Sequence, residues 1–544
     1  MIRTRSRRRW ASSQRTIPEF FSRRRLTRLS ESAMSMSVAG ITPSNANVPK
    51  QKDPHLRECE IQGDIIVGLQ KDEEVFVFFK ILDARKFRKV LRERLTDRIT
   101  TTSSALAREL QVKAYKREGH RHRLPLIGIN IGFTHAGLET LLGAAKCTGM
   151  DPSFMAGAAA QAAALSDPVD ANGNPVWKPA FASDTIHGVL LVAGPAREVG
   201  QPGPAETEAS AIVALFGNAV AVVDRETGIT RPQRGHEHFG FLDGISNPGV
   251  RGITPRTNPE NPNQGVPGQD LLWPGAFVFG YPGQDPDKPF EEPGPEPHLP
   301  HPWMRDGSYM VFRRLNQRVP EFHAFLDAQA AALGTDPALL GARMVGRWQS
   351  GAPVMLAPLQ DDPLLGADPA RNNAFEFSQD KAQRRCPYGA HIRKTYPRDD
   401  LKDPGTLGLK DPEGFVQAHR IMRQGIPFGP EVDEATEETT TVQERGLMFV
   451  CYQTSIVEQF EFIQKDWSNA PSFPPAKMRP GGGAVTPGHD PIIGQAGGPR
   501  QMDEPLPNYP TGSVRSTLDM PEPFVVPTAA GYFFMPSLTA LKTM

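Results

Sequence analysis

The stretch Val75-Phe76-Val77-Phe78-Phe79, followed by Asp83 and then Phe87, Val90, Leu91 and Leu95, decides the fold class. Five consecutive β-branched or aromatic residues predict a buried strand. Asp83 is a helix cap, and the four later apolar residues recur at helical spacing. The strand–helix unit occurs again further on. Gly307 to Leu315 reads as a strand before a helix carrying Phe322, Phe325, Leu326 and Leu333. Gly446 to Tyr452 reads as a strand before a helix carrying Ile456, Phe460, Ile463 and Trp467. Further strands are expected at Asp64–Leu69, Leu126–Phe133, Gly188–Val192, Ala219–Val223, Gly275–Gly280 and Gly531–Phe534. Helices alternating with strands in this way imply an α+β fold with two similar halves and mostly antiparallel sheet.

Composition narrows the function. The 544 residues carry 61 Lys and Arg against 61 Asp and Glu, so no global charge favours nucleic acid or an anionic membrane. No window approaches the roughly 18 uninterrupted apolar residues of a membrane span. With 53 Pro and 50 Gly, long irregular connections are expected, notably at 282–302 and 470–512, which read as surface loops. Cys59, Cys147, Cys386 and Cys451 form no CxxC pair and suit reduced thiols inside the cell. Residues 1–30 hold ten arginines and one acid, Glu19, without an apolar core, so no secretory signal is expected. A basic disordered arm or a non-native extension is the first reading and a mitochondrial presequence the second. The corresponding location is cytoplasmic, with mitochondrial as the alternative.

Three segments carry chemistry. In Phe239-Gly240-Phe241-Leu242-Asp243-Gly244-Ile245-Ser246-Asn247-Pro248, a carboxylate lies on a tight turn behind an apolar wall. Such a carboxylate is costly unless it has a task or a partner. An ordinary Asp-Gly turn is the plainer reading. In Cys386-Pro387-Tyr388-Gly389-Ala390-His391-Ile392-Arg393-Lys394-Thr395, small residues before His391 leave room for a wide ligand. Imidazole is a common metal ligand and the proximal haem ligand of peroxidases. Arg393 and Lys394 suit anionic groups such as haem propionates. A hydrogen-bonded core histidine is the alternative. In His419 to Gly429, an inward arginine would need an anion or a developing charge. An exposed basic pair on an edge strand is the alternative there.

Together the three segments resemble the dye-decolourising peroxidases, the DyP-type haem peroxidase family. Gly240-Phe241-Leu242-Asp243-Gly244 matches the family's GxxDG signature, and Cys386 to Lys394 resembles its haem-ligand segment. Arg423 to Gly429 resembles its distal-arginine strand. Pro274–Pro282 and Asp306–Leu315 also look like family blocks. The resemblance runs from about residue 60 to the C-terminus and is closest to the larger fungal and bacterial members.

It implies two ferredoxin-like halves of the dimeric α+β barrel type, with haem b mainly against the C-terminal half. The corresponding division is a basic extension at 1–55, an N-terminal domain at 56–236 and a haem-binding domain at 237–544. By resemblance His391 ligates the iron, Asp243 and Arg423 face the peroxide, and Phe241, Gly244 and Arg393 contact the cofactor. Asp243 would carry a proton between the peroxide oxygens, and Arg423 would stabilise charge on the leaving one. A carboxylate should accept the second N–H of His391. Glu458, Glu461 and Asp466 lie where the family places it, and Glu458 is the choice. Bulky donors would pass electrons through Trp303, Tyr309, Trp348, Tyr396, Tyr452 or Trp467, although each also reads as simple packing. The expected partners are hydrogen peroxide and aromatic reductants such as dyes and phenols. A homo-oligomer stays open. The alternative is a haem-binding or haem-delivery protein on the same fold, needing His391 but not Asp243 or Arg423.

Overall fold

Phe76, Phe78, Phe312 and Phe533 meet where the two halves of one nine-stranded sheet face each other, with ring centroids 5.3 Å apart for Phe76–Phe312, 5.0 Å for Phe78–Phe312 and 6.0 Å for Phe78–Phe533. All four are fully buried, and burying each such ring contributes about 1.5–3 kcal/mol. A computed structural model of the chain describes residues 53–544 apart from 120–123, 184, 198–200, 403–407, 479–482, 497 and 505–515. The expected basic arm therefore lies outside the described residues.

The first half holds β1 (Glu73–Ile81), β2 (Gly128–Phe133), β3 (Gly188–Gly194) and β4 (Val220–Ile229) in the order β4-β1-β3-β2. Helix α1 (Ala84–Val90) starts where Asp83 accepts the Lys86 N–H, and α2 (Pro204–Phe216) leads into β4. Phe87 of α1 stacks on Phe79 of β1 and on Phe216 of α2, which holds both helices to one face of the sheet. The second half repeats the plan. It holds β5 (Ser308–Gln317), β6 (Met422–Arg423), β7 (Ile426–Phe428), β8 (Gly446–Gln453) and β9 (Val525–Met535). The order is β9-β5-β8, with β6 and β7 both on the far side of β8. In each half the last strand lies beside the first, as in a ferredoxin-like unit. Every pairing among these nine strands is antiparallel. Phe133 of β2 pairs with Phe534 of β9 and joins the two halves. The second half adds α3 (Val319–Leu333) and the short α4 (His391–Thr395).

Two expected strands are turns. Asp64–Leu69 folds back because the Asp64 carboxylate accepts the Leu69 N–H (3.0 Å) and Asn130 accepts the Asp64 N–H (2.9 Å). Gly275–Gly280 begins as a 3-10 turn, Pro274–Ala276. The helix after β8 is wound in π-helical turns, Ile456–Glu461 and Ile463–Ser468. No helix among the described residues is long and apolar enough to cross a membrane. The connection from β4 to β5 contains both the expected domain boundary at 236/237 and the Asp243 loop.

Candidate active site

The Asp243 loop is folded by its own neighbours. The Glu237 carboxylate accepts the N–H groups of Phe239 (2.9 Å) and Phe241 (2.8 Å), and the Gln317 amide of β5 anchors it. Gly240 has φ +97°, and a Cβ there would stand 2.7 Å from the Gln349 amide, so no other residue fits easily. Phe239 and Phe241 pack on Phe322 of α3. The Asp243 N–H donates to Gly235 O at 2.9 Å. The Asp243 side chain thus lies at the edge of a large cavity.

Arg423 reaches the same carboxylate. Its strand position is fixed by pairing with Cys451 of β8 and by Asn247, whose amide donates to Arg423 O at 2.8 Å. The Arg423 guanidinium donates to Asp243 Oδ1 at 2.8 Å, and the Gly244 N–H donates to that oxygen at 2.6 Å. Burial works to raise the Asp243 carboxyl. The Arg423 charge, these hydrogen bonds and His391 outweigh it and hold the carboxyl below the ordinary aspartate range. The Asp243 side chain keeps 40% of its surface accessible, and it opens on the cavity.

His391 begins α4 and lines the same cavity. Its Nδ1 lies 2.8 Å from Asp490 Oδ2. The other oxygen of Asp490 accepts the N–H groups of Ile492 (2.8 Å) and Ile493 (3.0 Å). Burial alone would raise the Asp490 carboxyl and lower His391. Their mutual attraction and the turn's N–H groups win, so the acid is held low and the imidazole raised. With Nδ1 committed, Nε2 is left for the cavity.

Two expected roles are corrected. Glu458 is not the partner of His391. It sits in the first turn of the helix after β8, its side chain is exposed, and it does not line the cavity. Its place is taken by Asp490, from a segment that read as surface loop. Arg393 does not face the cavity either. It is fully buried behind α4, donating to both oxygens of Asp400 (2.6 and 2.9 Å) and to Cys386 O (2.6 Å). An arginine so committed has no donor to offer a haem carboxylate. The space expected above Gly389 is also filled, since a Cβ there would meet Met502 and Pro487 O. Phe241 and Gly244 do line the cavity. Among the expected electron carriers, Tyr309, Trp348, Tyr396, Tyr452 and Trp467 are buried, and only Trp303 is half-buried.

The cavity encloses about 1700 Å³ of space counted out through its open mouth. Its walls are largely apolar, with Leu315, Leu447, Phe449, Phe460 and Ile463 among them. Along one side lie Arg347, Arg398 and Arg420, all buried. Arg347 and Arg398 share Asn373 Oδ1 (3.0 and 2.5 Å), while Arg398 and Arg420 share the Tyr396 ring. None of the three has a carboxylate ion-pair partner among the described residues. Burial, with Arg398 close by, pulls Arg347 down to about 9. Sequence reasoning missed this cluster, because its members are scattered and only folding collects them. A flat apolar ligand with an anionic edge and a metal for His391 fits this slot, and haem b has that chemistry.

Comparison with known proteins agrees. Residues 60–232 match the DyP dimeric alpha+beta barrel domain, and residues 298–473 match the Dyp-type peroxidase C-terminal domain. A dye-decolorizing peroxidase of Mycetinis scorodonius is 38% identical over 90% of this chain and 88% of its own. An ancestral D-type dye-decolorizing peroxidase of known structure superposes with a TM-score of 0.75 at 42% identity, over 90% of this chain and 99% of that one. A dye-decolorizing peroxidase solved with 2,6-dimethoxyphenol gives a TM-score of 0.72 at 38% identity, with the same coverage. With the paired ferredoxin-like halves, the slot and these likenesses in hand, the chain belongs to the dye-decolourising peroxidase family and is a haem-dependent peroxidase.

Proposed function

We propose that His391 Nε2 ligates the iron of haem b, that Asp243 and Arg423 act on hydrogen peroxide, and that Arg347, Arg398 and Arg420 receive the haem carboxylates. The observation that carries this reading is one cavity lined both by a carboxylate-locked histidine and by an aspartate–arginine pair. Bound haem supplies the redox-active iron at which peroxide is reduced and aromatic donors are oxidised.

The residues have separable tasks. Asp490 accepts the Nδ1 proton of His391, which fixes the tautomer and makes Nε2 the better donor to a metal. Asp243 is held ionised, so it can take a proton from one peroxide oxygen and return it to the other, a service worth roughly 10²–10⁴-fold. Arg423 bonds only Oδ1 of Asp243, so Oδ2 is left for that proton. The guanidinium also places positive charge where the departing oxygen becomes negative. Phe241 walls the slot and limits water.

Dyes and phenols are the donors this reading assigns. Small phenols enter at the mouth of the cavity, whereas larger dyes stop at the surface. Of the aromatic residues expected to relay their electrons, Trp303 is the one that reaches solvent while touching the core, through Phe534 at 5.3 Å. We also read the chain as dividing near residue 236 and as working in a reducing compartment, in keeping with its four free cysteines.

The test is haem reconstitution followed by rapid mixing with peroxide. Asp243→Asn and Arg423→Leu should keep the Soret band and slow the reaction with peroxide. His391→Ala should load haem poorly. Wild-type peroxide rates in both distal variants would instead favour a haem-delivery protein.

A further inference from the structure

Two buried cations stand behind the His391–Asp490 pair, and among the described residues neither forms an ion pair with a carboxylate. Lys394, on α4 three residues beyond His391, is fully buried and donates to Ala470 O and Gly488 O, both at 2.6 Å. Arg500 is 2% exposed. It donates to Asp490 O (3.3 Å), Pro491 O (3.3 Å), Gly494 O (3.0 Å) and Glu522 O (3.0 Å). Its Nε is buried without a hydrogen-bond partner among the described residues. Each cation lies over one ring, Phe473 for Lys394 (6.0 Å) and Phe524 for Arg500 (5.7 Å), yet burying a cation without a carboxylate is costly, and here there are two. Their common feature is Asp490. Burial pulls Lys394 down to about 7 and Arg500 to about 10, and Asp490 is the charge that opposes it in both. Each cation also grips the short turn from Gly488 to Gly494, one at its start and the other along its length. That turn supplies the two N–H groups that hold Asp490 Oδ1.

We propose that Lys394 and Arg500 are positioning residues of the haem site. They clamp the Gly488–Gly494 turn so that Asp490 stays bonded to His391 Nδ1, and they would thereby set how strongly His391 holds the iron and the potential of that iron. The inference rests on His391 being the residue that would hold the iron. Without either clamp the carboxylate relaxes away from Nδ1, and the imidazole becomes a poorer donor.

The haem-loaded full chain tests this. The readouts are the iron–histidine stretching frequency of the ferrous protein and the ferric/ferrous midpoint potential. Asp490→Asn should lower the frequency and raise the potential. Arg500→Gln and Lys394→Met should each shift both readouts in the same direction, and neither should add to the Asp490→Asn shift when combined with it, as residues acting through one group do. If Arg500→Gln does not accumulate, Lys394→Met carries the same test from the other end of the turn. A variant with wild-type values overturns the role of its residue. So does a fall in potential, which is what loss of a nearby positive charge alone would give, or a shift fully additive with Asp490→Asn. Should Asp490→Asn itself change neither readout, the axial assignment of His391 fails instead.

Discussion

The two carboxylates that serve the cavity are built in opposite ways. Asp490 is fully buried, with both oxygens bonded, one to His391 and the other to two backbone N–H groups. Asp243 keeps 40% of its side-chain surface open to the cavity, with both its protein partners on a single oxygen. The difference fits the work proposed for each. A group that orients a ligand should have no freedom and no spare lone pair directed elsewhere. A group that takes up and returns a proton must keep an oxygen within reach of the substrate.

The largest expected effect breaks the open side. Asp243→Asn removes the proposed proton acceptor while keeping the shape, so the second-order rate with peroxide should fall by about 10²–10⁴-fold, with haem content unchanged. Stopped-flow absorbance against peroxide concentration measures it. Arg423→Leu removes charge stabilisation and should cost on the order of 10²–10³-fold in the same measurement. The saturated side should respond less. Asp490→Asn should cost about 10–100-fold in haem affinity or activity, and Glu458→Gln nothing comparable. A rate or affinity loss at Glu458 would restore the displaced assignment.

Much of the open side was legible in the sequence, and the closed side was not. Asp243 stands between Gly240 and Gly244, and the need for positive φ at a tight turn is a local property of those residues. The facing Phe76–Phe312 core was likewise readable from runs of apolar residues. Asp490 is 99 positions from His391, in a segment whose Pro and Gly content signals only irregular backbone. One local sign was present in Asp490-Pro491-Ile492-Ile493, because an aspartate before proline often accepts the N–H groups that follow. Arg393 misled for a related reason. A cation beside a ligand histidine suits an anion, but α4 turns it away from the cavity, and Asp400, seven residues on, takes its charge. Asp64–Leu69 carries an apolar β-branched run like a strand, yet the Asp64 carboxylate competes for the backbone and makes it a turn.

A pH series sharpens the comparison further. The Asp243 carboxyl must be ionised to accept a proton. Arg423 and the loop hold it below the ordinary aspartate range against the effect of burial. The base form therefore survives into acid, and the acid limb of the peroxide rate should lie below the pH at which a free aspartate titrates. Replacing Arg423 by Leu leaves burial with less opposition, so the limb should move to higher pH. An unmoved limb in Arg423→Leu would mean that another group controls it. In Asp490→Asn the limb should stay where it is, because that acid accepts no proton from peroxide.

The smallest effect is expected from the first half of the chain, where the half-buried Lys71 reaches the strand of Arg423. Lys71 donates to Glu74 at 2.7 Å and to the carbonyl of Gln424 at 2.6 Å, and Gln424 follows Arg423 directly. Burial pushes the Glu74 carboxyl up to about 7, with Lys71 opposing the shift. Lys71→Met therefore does two things. It strands a buried carboxylate, with a stability cost of up to about 3–5 kcal/mol, and it frees the carbonyl beside Arg423. The peroxide rate should fall by less than about tenfold, the low end for a group acting through a neighbour. Lys71→Met/Glu74→Gln separates the two effects. Removing the stranded charge should restore much of the melting temperature, while the rate stays reduced because the Gln424 carbonyl has still lost the Lys71 ammonium. A rate that recovers together with stability would show that Lys71 balances the charge of Glu74 and does not position Arg423.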